Sequence, residues 1–114
     1  MNPRDFADSW ESDWNSHDLD AIMSHYRDDI VFRSRKAVPL VGHGEIVGKI
    51  ALRAYWAAAL ERQPDLKFRV QEVFVGYKML AISYLNHRDI LAVETLLFDH
   101  KNMVYNAAAC HRLE

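Results

Sequence analysis

At 114 residues, half of them hydrophobic and 11% aromatic, the chain has the size and apolar content of one folded domain over residues 1–114 and excludes a disordered tail. The formal charge is −2, and no basic stripe offers itself to phosphates, so nucleic acid is excluded as a partner. A single cysteine, Cys110, rules out an internal disulfide and fits a reducing compartment. No charged-then-apolar leader opens the sequence and no apolar run nears the roughly 18 residues needed to span a bilayer. The expectation is a cytoplasmic protein that does not meet the membrane.

In chain order, "MNPRDFADSWESDWNSH" reads as a helix with Asn2 as N-cap and Pro3 at the first helical position. Phe6, Trp10 and Trp14 recur every four residues and give it an aromatic face, with Asp5, Asp8, Glu11 and Asp13 on the solvent side. "HDLDAIMSHYRDD" reads as a second short helix, capped by Asp18, with Leu19, Ile22, Met23 and Tyr26 inward. "IVFRS" alternates as a strand, placing Ile30, Phe32 and Ser34 on one face. "VPLVGHGEIVG" is punctuated as a loop, and the Ala- and Leu-rich "KIALRAYWAAALERQ" is a third helix that stops before Pro64. Four strands follow, "KFRVQEVFV", "MLAISYLNH", "ILAVETLLF" and "MVYNAAACH". Their short polar connections predict antiparallel hairpins.

Helices segregated from an antiparallel sheet make an α+β domain. Three helices closing one mouth of a curved sheet leave a conical space between them, where a small ligand would bind. Glu94 stands out in the third of these strands. It shares a face with Ala92, Leu96 and Phe98, while Leu91, Val93, Thr95 and Leu97 share the other. With both faces apolar, the strand is expected to be covered by helices within and by a partner subunit without. A carboxyl buried there has a raised pKa, which suits an acid/base catalyst; a structural hydrogen bond or an interface ion pair is the alternative.

Trp10, Trp14, Tyr26, Tyr55 and Trp56 are expected around the interior, as ligand-facing walls or as core. Tyr84 and Asn86 share a face with Leu80 and Ile82 and are candidates to orient a ligand oxygen, although Asn86 also suits the "NHRD" turn. The six histidines form no His-x-His or HExxH arrangement, so no metal site is expected. His17 reads as structural, His111 as a proton carrier at the mouth of the cone. "RSRK", Arg33 to Lys36, would greet an anionic substrate or protect an edge strand. Cys110 reads as packing.

"WNSHDLDAIMSHYRDDIVF", "GKIALRAYW", the spacing of Pro64, Leu66, Phe68 and Val70, and "AISYLN" together resemble the SnoaL-like polyketide-cyclase family of the NTF2-like (nuclear transport factor 2-like) superfamily. The resemblance spans nearly the whole chain. It implies an α+β conical barrel, three N-terminal helices packed on a curved, mostly antiparallel sheet, and a homodimer through the outer sheet face. The superfamily hosts isomerases, cyclases, dehydratases, hydrolases and proteins without chemistry, so it speaks for the fold more than for the activity. Against ketosteroid isomerase, the tyrosine position falls on Trp10, the base position on Ser34 and the protonated-acid position on Glu94. Family cyclases use one acid on a late strand, which matches Glu94 better. The epoxide-hydrolase pattern would need Arg88-Asp89, which lies in a turn. The resemblance therefore implies a cofactor-free isomerase or cyclase acting on a hydrophobic or aromatic carbonyl compound, with a ligand-binding or association domain as the alternative.

Overall fold

The computed structural model describes residues 1–113. Helix α1 (Pro3–Ser16) begins where the Asn2 side chain accepts hydrogen bonds from the N–H groups of Arg4 and Asp5. It ends at His17, whose φ of 58° turns the chain out of the helix while its ring meets the Leu66 carbonyl at 2.7 Å. Helix α2 is short, Leu19–Met23, capped by Asp18.

Here the sequence reading needs correction. Tyr26 does not continue a helix; it opens strand β1 (Tyr26–Arg33) and pairs with Val104 in the last strand, β6 (Val104–His111). That β1–β6 pairing is parallel and shifts register between Tyr26 and Val31, which lets the polar Asp28 and Asp29 face water while Tyr26, Ile30 and Phe32 all turn inward. The expected loop after β1 also has structure. A 3₁₀ turn (Arg35–Ala37) leads into α3 (Val38–Val41), and β2 (Glu45–Val47) returns antiparallel to β1. Gly48, with φ at 93°, then starts α4 (Lys49–Arg62) in a conformation that side-chain-bearing residues rarely adopt.

Strands β3 (Arg69–Gly76), β4 (Met79–Leu85) and β5 (Leu91–Phe98) form with β6 the expected antiparallel meander. The sheet order is β2-β1-β6-β5-β4-β3. The architecture is thus α+β with a mostly antiparallel sheet, but the cone is open, with β2 and β3 as free edges. Register shifts in β1, between Val70 and Glu72, and between Leu97 and Phe98 supply the bends that curve it.

The acidic side of α1 is more engaged than its spacing suggests. Glu11 accepts the Val70 N–H at 2.6 Å, Asn15 exchanges two hydrogen bonds with the Phe68 backbone, and Asp13 meets the His25 ring at 2.6 Å. Side chains of α1 therefore complete the entry to β3, satisfying backbone groups that a neighbouring strand would otherwise satisfy. Beneath them lies an aromatic core. Trp10 stacks on Phe68 with centroids 5.5 Å apart, Phe68 tilts on Tyr84 at 4.6 Å, and Trp14 meets Trp56 edge-on at 4.9 Å. Each such pair adds about 0.5–1.5 kcal/mol beyond its buried area. Among the described residues no helix is long and apolar enough to cross a membrane.

Candidate functional site

The inward face of β5 carries Ala92, Glu94, Leu96 and Phe98, all buried. Across the ladder Glu94 pairs with Ile82 of β4 and Ala109 of β6, while Ala92 pairs with Tyr84 and His111. Alanine at positions 92 and 109, and Ala59 on the facing side of α4, leave space where larger residues would meet. The result is a cavity open at one end, with about 90 Å³ in which the centre of a water molecule fits. That is room for several waters or one compact ring system.

Of the residues expected around the interior, Glu94, Trp14, Tyr55, Trp56, Tyr84 and Asn86 line this cavity. Trp10 and Tyr26 do not; each is only 1% exposed and belongs to the core against which the Glu94 carboxyl rests. Asn86 serves the turn as well as the wall: its Oδ1 accepts from the N–H groups of Arg88 at 2.8 Å and Ile90 at 3.0 Å. Sequence reasoning missed Phe32, Phe68 and His87 as lining residues and passed over Ser34. Phe32 and Ser34 were findable, since the alternation of "IVFRS" already put them inward. Tyr55, Trp56 and Ala59 on one face of α4, with Gln63 at its C-terminal cap, supply the helical wall. Cys110 is exposed rather than packed.

Glu94 is 4% exposed, and its Oε2 has no hydrogen-bond partner among the described residues. Burial pushes its pKa from 4.5 up to about 8, opposed weakly by the Trp10 indole N–H facing it. The indole lies near the carboxyl without a hydrogen bond of good geometry, so Trp10 Nε1, together with Trp14 Nε1 and the Tyr26 hydroxyl, is likewise buried and unpartnered. Leaving such groups unsatisfied costs about 1–3 kcal/mol each, a concentration of polar cost in the part of the core nearest the cavity. Burial, with the nearby Glu94 charge adding to it, holds the phenols of Tyr26, Tyr84 and, more weakly, Tyr55 above the ordinary tyrosine value. In Tyr55 the Ser34 hydroxyl works the other way.

His111 is displaced in the opposite direction. Burial, then the charges of Lys36 and Arg35, push its pKa below the ordinary histidine value, so its imidazole is neutral at pH 7. Its place opposite Ala92 makes it a diagonal neighbour of Glu94, with Cβ atoms about 7 Å apart by ladder geometry. The cavity thus brings together a carboxyl that holds its proton and an imidazole that has lost one. Paired titratable groups with pKa values driven apart are the usual arrangement for acid/base chemistry. Among the described residues no three His, Cys, Asp or Glu side chains converge as a metal site.

The family profile of the SnoaL-like domain matches residues 6–114. Among solved structures, the chain is similar to a SnoaL-like protein of unknown function from Burkholderia thailandensis, with 36% identity, 97% of this chain and 95% of that one covered, and a TM-score of 0.92. A polyketide-cyclase candidate from Sinorhizobium meliloti shares 12% identity over 93% of this chain and 94% of its own, with a TM-score of 0.77. TerC, co-crystallized with polyporic acid, shares 11% over 97% and 92%, with a TM-score of 0.79. At those lower identities the likeness speaks for the fold alone. No curated protein matches the chain. With a profile match over nearly its whole length and a 36% identical relative of the same shape, this chain belongs to the SnoaL-like domain family and has the NTF2-like fold.

Proposed function

We propose that the protein is a small-molecule pocket protein, a cofactor-independent isomerase or cyclase that moves a proton on a hydrophobic carbonyl compound. The observation that carries this reading is Glu94: an acid with an unpartnered buried oxygen, set at the wall of an aromatic cavity and protonated at neutral pH. In the proposed cycle the carbonyl oxygen of the ligand faces Glu94, with the Trp14 indole N–H as a second donor. Glu94 gives its proton to that oxygen while a neutral imidazole, His111, takes one from the adjacent carbon, forming an enol and two charged side chains. Return of the proton to another carbon isomerises the compound. Attack of the enol carbon on a second carbonyl closes a ring instead, and the new alkoxide takes the proton that His111 holds. In both cases Glu94 recovers its proton from the enol hydroxyl. The ligand chemistry of TerC, a fold relative co-crystallized with polyporic acid, supports a small molecule in this space.

Exchange of α-protons tests the reading directly. In D₂O, 2-tetralone should lose its α-proton NMR signals faster with the protein than without it, and Glu94→Gln should abolish the acceleration while still binding the ketone. A ketone that binds but exchanges at the buffer rate would leave a binding protein without turnover, the second reading.

An association role adds to either reading, and one surface favours it. Phe74 is 52% exposed, and the outward residues Met79, Val93 and Leu97 are only partly buried in the isolated chain. We assign the outer sheet face to a homodimer. Sedimentation should show a dimer that Val93→Glu converts to a folded monomer; a wild-type monomer at high concentration would refute it. The single cysteine of the chain, exposed on this face, agrees with a cytoplasmic setting.

A further inference from the structure

The mouth of the cavity is more basic than its surroundings require. Two separate segments deliver cations to it, Arg35 and Lys36 from the 3₁₀ turn after β1 and Arg88 from the β4–β5 turn, next to the cavity-lining Asn86 and His87; the neutral His111 joins them from the end of β6. Lys36 and His111 line the cavity itself, and both also border an outer hollow shared with Arg35. Arg88 stands close enough to Lys36, and Lys36 and Arg35 close enough to His111, for their charges to disfavour one another's protonation.

Several arginines elsewhere in the sheet and helices sit against carboxylates. Arg27 is paired with Asp29 and Asp99, Arg33 with Glu45, Arg53 with Asp20 and Arg69 with Asp89. At the mouth, no ion pair among the described residues involves Arg35, Lys36 or Arg88. The one acid in the cavity lining is Glu94, which is protonated below about pH 8 and supplies no countercharge. His111 Nδ1 is buried there without a hydrogen-bond partner. Among the described residues, a chain whose formal charge is −2 therefore holds a positive rim without paired carboxylates over an apolar, aromatic hollow. Like charges gathered without partners are costly, and low-dielectric walls concentrate their field on whatever enters.

We propose that Arg35, Lys36 and Arg88, with His111 beside them, form an anion site at the cavity mouth, and that the ligand is an amphipathic carboxylate whose ring-bearing body enters the aromatic hollow. This rests on the reading that the cavity takes a small molecule, and it narrows the substrate class. A carboxylate held at the rim places the body between Trp14, Trp56 and Tyr84, with its far end toward Glu94.

The test compares 2-naphthoate with 2-naphthamide, which has the same body without the charge, by calorimetry on the full chain at low ionic strength. The acid should bind at least tenfold more tightly, equivalent to about 1.4 kcal/mol, and salt at about 0.5 M should erode the difference, since charge interactions at the rim are screened. Lys36→Met and Arg88→Ala alter side chains outside the core, and each should weaken the acid about three- to tenfold while leaving the amide within twofold. The His111 imidazole signals should move on adding the acid and much less on adding the amide. Acid and amide binding equally, with variants indifferent, would overturn the anion site and leave the pocket standing. Acetate binding as tightly as 2-naphthoate would also overturn it, because the apolar body would then contribute nothing. Failure of both naphthalene compounds to bind would remove the small-molecule reading along with it.

Discussion

Replacing Glu94 by glutamine separates a protonated carboxyl from a charged one by thermodynamics alone, without a substrate. Native Glu94 titrates near 8 rather than 4.5, so between those values the folded protein holds a proton that the unfolded chain has released. Stability must then fall as pH rises across that window and level off above it. At about 1.4 kcal/mol per pH unit, the accumulated loss is about 5 kcal/mol, a large part of what a domain of this size has. Glutamine keeps the shape of the neutral acid and does not titrate. Near pH 5 the variant should therefore match wild type within about 1 kcal/mol, and by about pH 9 it should be the more stable by several kcal/mol. Urea unfolding followed by tryptophan fluorescence at a series of pH values reads the difference, in which every other titrating group cancels. A gap between the two proteins that stays constant from acid to alkali would refute a buried neutral Glu94, as would a carboxyl ¹³C titration near the ordinary value.

Three further outcomes follow from the same geometry. Ala109→Leu puts three added carbons beside Glu94; 2-naphthamide binding should vanish while urea unfolding shows a loss below about 1.5 kcal/mol, whereas retained binding would mean that ligands go elsewhere. Asn15→Ala leaves the Phe68 N–H and carbonyl without their partner and should cost about 2 kcal/mol, with faster amide exchange at Phe68 and Val70 than in the β4–β5 ladder. Lys36→Met removes one of the two charges that lower the His111 pKa, so an imidazole titration by NMR should give a higher value than in wild type; an unchanged value would place Lys36 too far away to act.

The helical faces were legible because their information is local. Phe6, Trp10 and Trp14 recur at the period of a helix, and they are indeed buried. The last four strands were legible for the same reason, since short polar turns leave an antiparallel meander little choice. Alternation grouped Glu94 with Ala92, Leu96 and Phe98, but with both faces of the strand apolar it did not say which one turned inward. Tyr26 could not be placed by alternation at all. Its neighbours Arg27, Asp28 and Asp29 look like the solvated end of a helix, and only the parallel pairing with β6, with its register shift, makes them a strand. β2 escaped notice because three residues after two glycines carry no period of their own; the hydrogen bonds of β1 define it. The cavity is a property of what meets across the sheet. Ala59, Ala92 and Ala109 lie far apart in the chain, and nothing in any one of their segments says that three small side chains will face each other.

Local chemistry by itself determined the caps and buried faces of the first and last helices, the strands of the meander, and that an acid would lie among apolar neighbours. Tertiary structure decided whether that acid kept its proton, which aromatics became wall and which became core, and that Arg35 and Lys36 would share one rim with the distant Arg88 and His111. The division has a physical cause. Periodicity and capping act over a few residues, whereas desolvation, empty volume and summed electric field depend on everything within several ångströms, whichever part of the chain it comes from.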